Sequence, residues 1–502
     1  MRKLLSQAGA HDRDSAGAFV VIQTVVFILL ATWSLGGRAD GAISWIGMVS
    51  WCSLVAVILD SDRRRFLPRS GIGWILAASW VLVFLFLLVA PLNAQLIPVE
   101  FPDGNTGLQP LQPALWLPSA LVAYRSAEYG FLLSGAMVQA LVLWHYLRSR
   151  RQIRLLLGAL AVNALVLAIV GAFIRQAGVE KILGFAEPVH PGFFASFRYH
   201  NHWVAFAVLS LGQFGALMAY NYRQSFTDPR IKKRRPDIFW LCAIVLLSIT
   251  LPMTSARFGT LLLLLFWLVL FAVLAKIILR SRSEFPREGS LFQSTIVRIF
   301  GLTLIALAAL VYVFWLNTEG YDRTRETLDR ITALHEVSDD AEEPATFFQI
   351  LQQVEPTRFD YTVKDTAAMI RSRPLLGWGF GSHKYAFYFF AGDHYRDAEG
   401  FPRVHKEFAH SDWLQFVAEL GALVFAALLL VPLVQWVRLR RQGPPPAVTR
   451  WLFFGCALVL LMATIEFPLS NPAVLVLFFV QATTAFAYWK EESGKKAERL
   501  KP

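Results

Sequence analysis

The sequence predicts an all-α polytopic membrane protein of about twelve transmembrane helices, interrupted by one large, partly helical polar loop. Composition is the first reason. Of 502 residues, 55% are hydrophobic and only 17% charged, against roughly a quarter charged in soluble domains, and the mean hydropathy is +0.46. Apolar runs are the second. Leu76 to Ala90, Leu155 to Ile174, Leu261 to Leu279 and Ala422 to Val437 are almost free of charge, and a helix needs about 20 apolar residues to cross the hydrocarbon. Lipid admits only helices or closed barrels, and the residue-by-residue alternation of barrel strands is absent. The third is the placement of charge. The net charge of +12 is gathered into short basic clusters between apolar runs, which is the positive-inside pattern and argues against nucleic acid as a partner.

Spans are expected at about 18–36, 41–59, 71–92, 126–147, 153–174, 200–221, 238–253, 258–279, 296–316, 412–437, 451–467 and 472–489. The basic clusters test that order. Arg63, Arg64, Arg65 and Arg69 form one, and Arg148, Arg150, Arg151 and Arg154 the next. Others run from Arg223 to Arg235, Arg280 to Arg287 and Arg438 to Arg441. Every second loop is basic and both termini fall on the basic side, which puts both ends in the cytoplasm. The first apolar run has no small-residue cleavage site behind it and reads as a first helix rather than a signal peptide.

The opposite loops differ in character. Residues 93–124, rich in proline and aromatic residues, are expected to be extended or interfacial. The stretch of about 317–410 is too long for a mere connection and divides the chain into residues 1–316, 317–410 and 411–502. Within it, Asp360 to Ser372 has helical spacing, ended by Pro374 and the run Gly377-Trp378-Gly379-Phe380-Gly381. The aromatic stretch Tyr385 to Phe390 reads as interfacial packing or as stacking faces for sugars. The acidic patch at 339–343 reads as a solvated turn. Cys52, Cys242 and Cys456 all lie in apolar spans, so neither a disulfide framework nor a metal site is expected.

Ionisable groups at a membrane edge are costly and are therefore candidates for function. Four places qualify on the non-basic side: Arg198, His200, Asn201 and His202 before the sixth span; Arg257 in a tight turn; Arg358, Arg371 and Arg373 around the loop helix; and His410 with Asp412 and Glu419 at the tenth span. Each has a plainer reading. In that reading Arg257 and the loop arginines contact lipid headgroups, the histidines are helix-entry residues, and Glu419 or Glu466 pairs with a neighbouring helix. Taken together they suit a pyrophosphate: guanidiniums hold phosphate oxygens at any pH, and a histidine can take a proton from an alcohol near neutrality. No phosphate-binding glycine loop and no His-Glu-x-x-His pair is present.

Several of these segments, in this order, resemble the O-antigen ligase and O-antigen polymerase superfamily of bacterial membrane glycosyltransferases. They are Tyr199-His200-Asn201-His202-Trp203, Thr254-Ser255-Ala256-Arg257-Phe258-Gly259, Arg358, Arg373-Pro374-Leu375-Leu376-Gly377-Trp378-Gly379, Ala409-His410-Ser411-Asp412-Trp413 and Ile465-Glu466-Phe467-Pro468. The resemblance covers about 195–475. It implies a GT-C-like fold in the bacterial inner membrane with a periplasmic active site. An undecaprenyl-pyrophosphate-linked glycan donor and a glycan or lipid A-core acceptor are the implied partners, besides membrane lipid. No metal and no cofactor are implied, and transfer is inverting. The resemblance gives catalytic roles to His410, Arg257 and Arg358; Arg198, His200, Asn201, His202, Arg371, Asp412 and Glu419, from their place at the membrane edge, are expected to bind substrate. Two departures stand out: Ser411 takes the place of the usual asparagine, and the arginine-glycine pair is spread over Ala256-Arg257-Phe258-Gly259. A repeat-unit polymerase or protein O-oligosaccharyltransferase would use the same leaving group. A polysaccharide transporter or flippase would place ionisable residues or Gly/Pro breaks at mid-span in paired halves, and a non-catalytic assembly protein would not need arginines from separate turns to converge.

Overall fold

The computed structural model describes residues 2–39, 41–59, 70–100, 106–114, 116–188, 192–225, 236–254, 256–284, 360–392 and 406–499. Its helices are α1 (Arg2–Trp33), α2 (Ala42–Trp51), α3 (Leu54–Leu59), α4 (Gly71–Leu92), α5 (Ala123–Tyr146), α6 (Arg150–Gln176), α7 (His200–Ser225), α8 (Pro236–Thr250), α9 (Arg257–Glu284), α10 (Thr366–Ser372), α11 (His383–Phe390), α12 (Asp412–Gln442), α13 (Ala447–Met462) and α14 (Pro472–Arg499). Eight of these are long and apolar enough to cross a membrane, and three shorter apolar helices fall at 42–58, 238–254 and 447–462. They coincide with eleven of the expected spans. The span at 296–316, Arg358 and the acidic patch at 339–343 lie outside the described residues.

The described residues form two compact units. Residues 2–156, 360–445 and 463–499 make the first, and 157–284 with 446–462 the second.

In the first unit α5 is central and touches α1, α2, α4 and α14. Small residues let the backbones approach. A Cβ on Gly135 would stand 2.9 Å from the Gly47 carbonyl, and one on Gly130 3.3 Å from that of Leu87. Side-chain hydrogen bonds tie the same helices: Gln139 donates to Thr24 (2.7 Å), Gln23 to the Val49 carbonyl (2.9 Å) and Tyr146 to the Ala56 carbonyl (3.0 Å). Between α4 and α5 the chain forms an antiparallel hairpin, β1 (Leu96–Glu100) with β2 (Thr106–Pro110), so the expected extended segment is a two-stranded sheet. Asn93 closes its base by bonding both the N–H and the carbonyl of Ala114 (2.8 and 3.0 Å).

One departure from expectation shapes the site. The run from 412 to 437 reads as an unbroken span, but α12 is interrupted at Gly421, whose φ of 72° and ψ of 161° are non-helical. The break frees backbone groups that lipid cannot satisfy. Residues 374–379 satisfy them. Ala422 and Leu423 donate to the carbonyls of Pro374 and Leu375 (2.8 and 3.2 Å), while Trp378 and Gly379 donate to those of Ala418 and Glu419 (3.0 and 2.9 Å). The glycine run is therefore an inserted segment rather than a surface turn. Leu121, Val122, Met369, Ala386 and Ala418 form a small core beneath it.

In the second unit α7 packs on α8, α9 and α13. Around its start lies an aromatic cluster of Phe194, Phe197, Trp203 and Phe206, and Trp203 donates to the Thr250 hydroxyl at 3.1 Å.

Candidate functional site

His410 sits where the polar loop enters α12, and its φ is +54°. A non-glycine residue in the left-handed region costs of order 1–3 kcal/mol and persists only where its neighbours hold it. They do so on both sides. Ala409 donates to Gln415 (3.1 Å), Ser411 caps α12, and Asp412 is buried and engaged by the Leu469 N–H (2.6 Å) and the Ser470 hydroxyl (2.9 Å). The imidazole stands edge-on to Phe467, with centroids 4.7 Å apart. Its Nδ1 lies 3.5 Å from the Glu466 carboxylate, and the side chain keeps 23% of its surface exposed.

Beside it lies a charged cluster. The Glu407 carboxylate accepts from Arg125 at 2.7 Å and faces Arg38 at 3.7 Å. Arg125 also reaches Glu128 (3.5 Å) and lies over the Tyr129 ring; Arg38 donates to the Ser470 carbonyl (3.3 Å) and lies over Phe408. Phe408 in turn stacks on Phe467 at 4.6 Å. Arg125, Lys384, Glu407 and Ser470 line a small depression that opens to the surface. The hydroxyls of Tyr124 and Tyr385 share a hydrogen bond; burial, and then that bond, hold Tyr385 above the usual phenol range.

Glu419 is buried two residues before the helix break. Its oxygens accept from the N–H groups of Gly381 and His383 (2.9 Å each) and from Gln415 (3.2 Å). Asp412 and Glu419 therefore share a face of α12, as their spacing predicts, and their hydrogen bonds go to the fold itself. His383 is fully buried, and burial pushes its imidazole down to about 4, against a smaller opposing effect of the Glu407 and Lys406 backbone. Arg373 stacks on Trp378 at 4.1 Å and donates to Ser119 at 3.0 Å. Burial lowers its pKa, yet a guanidinium stays charged. Arg371 is exposed at the end of α10.

The remaining candidates belong to the second unit. Arg198, His200, Asn201 and His202 open α7, with Asn201 and His202 buried. The Tyr199 ring packs against both histidines, and Asn201 donates to its hydroxyl at 3.2 Å. Arg257 is exposed at the first position of α9. The first turns of α7 and α9 meet, since a Cβ on Gly259 would come within 2.7 Å of Val204. The second unit thus gathers Arg257 with the 198–202 cluster, and the first gathers His410, Asp412 and Glu419.

Sequence reasoning did not single out Arg38, Arg125, Glu407 or His383. Arg125 carried a usable signal, because it is an arginine at a span edge away from the basic loops, the same ground on which Arg257 was chosen. Arg38 and Glu407 become meaningful only through each other, across 369 residues of chain.

Fold and site together define a multi-pass helical membrane protein with a strained, acid-paired histidine at a helix entrance. Residues 242–429 match the family model for O-antigen ligase. No curated protein matches the chain.

Proposed function

We propose that the protein is a glycosyltransferase of surface-polysaccharide assembly. It takes a glycan from an undecaprenyl-pyrophosphate carrier at the periplasmic face of the bacterial inner membrane and passes it to lipid A-core or a growing glycan. The observation that carries this reading is His410, held on strained backbone with one ring nitrogen against Glu466, within a match to the O-antigen ligase family. The acceptor hydroxyl oxygen attacks the anomeric carbon, and the bond from that carbon to the pyrophosphate oxygen breaks with inversion. The hydroxyl proton passes to Nε2 of His410, while Glu466 stabilises the resulting imidazolium through Nδ1–H, the role of the third member in nucleophile–base–orienter sets. Arg257 and Arg358 stabilise the charge that develops on the departing pyrophosphate. No metal or cofactor takes part in this scheme. Arg198, His200, Asn201, His202 and Arg371 are the groups proposed to contact substrate, with Asp412 and Glu419 acting through the loop they hold.

Purified protein with lipid-linked donor and acceptor tests the scheme. His410→Ala and Arg257→Ala should each lose roughly 10²–10³ in rate, the loss seen when one preorganised transition-state donor is removed. Transfer by both variants at the wild-type rate would refute it. The glycan profile of a deletion strain separates the two acceptors: free polymer with bare core indicates a ligase, single repeat units a polymerase.

A further inference from the structure

Arg38, from the α1–α2 turn, and Arg125, from the first turn of α5, converge on the two oxygens of one carboxylate. This is how guanidinium pairs hold a carboxylate or a phosphate. The three partners are not held equally. Arg125 is kept in place without Glu407, by Glu128 at 3.5 Å and by the Tyr129 face, and Glu128 is itself bonded by Ser44 at 3.4 Å. Arg38 is likewise kept by the Ser470 carbonyl at 3.3 Å and the Phe408 face. The Glu407 carboxylate is bound to the two guanidiniums and keeps 36% of its surface exposed. If it swung away, two oriented cations would remain, one of them, Arg125, lining a depression that also carries Lys384.

We propose that Arg38 and Arg125 form an oxyanion site for an acidic group carried on a saccharide, and that Glu407 is its displaceable internal occupant. The neighbouring Tyr124 and Tyr385 hydroxyls and rings supply what a sugar needs, hydrogen-bonding groups beside an apolar face; Tyr385 lies close enough to feel the charges of both Arg125 and Glu407. A ligand meeting a site that is self-occupied nine times in ten binds about tenfold more weakly than it would to the open site. Glu407 therefore selects against neutral sugars, which cannot displace it, and admits anionic ones. That the anion arrives on a saccharide rests on the glycosyltransferase reading above; the existence of the site does not.

Binding to the purified full-length protein in detergent tests this without turnover, so it can fail while transfer stands, and the reverse. The probes are sodium glucuronate, sodium pyrophosphate and glucose, followed by calorimetry at low and high salt. Glu407→Gln should bind one of the anions about tenfold more tightly than wild type, the gain should shrink with salt, and glucose should show no change. Gain for glucuronate assigns the site to an acidic sugar of the glycan, and gain for pyrophosphate alone moves it to the donor's leaving group and overturns the acidic-sugar assignment. Adding Arg125→Gln to Glu407→Gln should abolish the gain. If Glu407→Gln binds both anions no better than wild type while remaining folded, Glu407 is a structural ion-pair partner and the proposal fails.

Discussion

Two histidines of the same region are placed for opposite purposes. His410 is partly exposed, strained and faced by an acid, and the acid is the part open to a conservative test. Glu466→Gln keeps the shape and removes the charge that steadies the imidazolium. It should lower kcat roughly tenfold to a hundredfold with little change in KM, because the stabilised charge exists only after proton transfer. An unchanged kcat would reduce Glu466 to a structural neighbour. His383, by contrast, is fully buried between the broken helix and the loop, with its pKa held down to about 4. The unfolded chain, with an ordinary value of about 6.5, binds more protons than the folded one between those limits. Stability therefore rises with pH across that window, and what is present above about 6.5 is lost as pH falls toward 4, on the order of 3 kcal/mol in all. Thermal unfolding across pH 4–7 should show this slope in wild type and a flatter one in His383→Gln, while equal slopes would assign the acid sensitivity elsewhere.

At the scale of elements, the interrupted α12 and the glycine run interlock. A Cβ on Gly421 would sit 2.2 Å from the Leu375 carbonyl and one on Gly377 2.4 Å from that of Glu419, both at positive φ. Backbone cannot retreat as a flexible side chain can. Gly421→Ala and Gly377→Ala should each cost about 3 kcal/mol, from left-handed strain and overpacking together. Gly71→Ala, at a helix start with open space around it, should stay within about 1 kcal/mol of wild type or gain. Unfolding temperatures of the three variants in one detergent decide the matter: a tolerated Gly421→Ala would mean that the break is not obligatory. This junction also marks the limit of what the sequence discloses. The spans are legible because each is a local run of apolar residues, and α10 because its spacing is local too, whereas the aromatic content of Tyr385 to Phe390 does not disclose the helix it forms. The break is illegible because the apolar pattern runs straight through Gly421, and glycine is ordinary in membrane helices. Only the carbonyls of Pro374 and Leu375, arriving from almost fifty residues earlier, make it necessary. The roles of Asp412 and Glu419 are hidden in the same way. Their spacing shows a shared face, while the partners that occupy them, on the turn at 469–470 and the loop at 381–383, come from elsewhere in the chain.

At the scale of the molecule, the first unit has two chemically distinct ends. α5, α12 and α14 all begin near the histidine and end among Arg148, Arg438, Arg440, Arg441 and Lys490. There Lys490 lies over Trp144 and Arg150 pairs with Glu492. α4 runs the other way, from Ser70 up to the hairpin. The described helices therefore put the basic residues that close α5 and α12, with Lys490 of α14, at one end and His410, Arg38 and Arg125 at the other, as a membrane that retains lysine and arginine on its cytoplasmic side would sort them. This orientation can be tested with single cysteines in a background where Cys52, Cys242 and Cys456 are serine. Leu111→Cys samples the exposed end of the hairpin beside the site, where the Leu111 N–H bonds the Gln95 carbonyl at 2.7 Å. Arg440→Cys samples the exposed basic end. In intact cells whose outer envelope has been made permeable, a membrane-impermeant maleimide should label Leu111→Cys and spare Arg440→Cys until the inner membrane is lysed. The converse pattern would turn the protein over. Its histidine and arginines would then face the cytoplasm, where glycosyl transfer from nucleotide sugars is the expected chemistry and a periplasmic transfer between carriers is impossible.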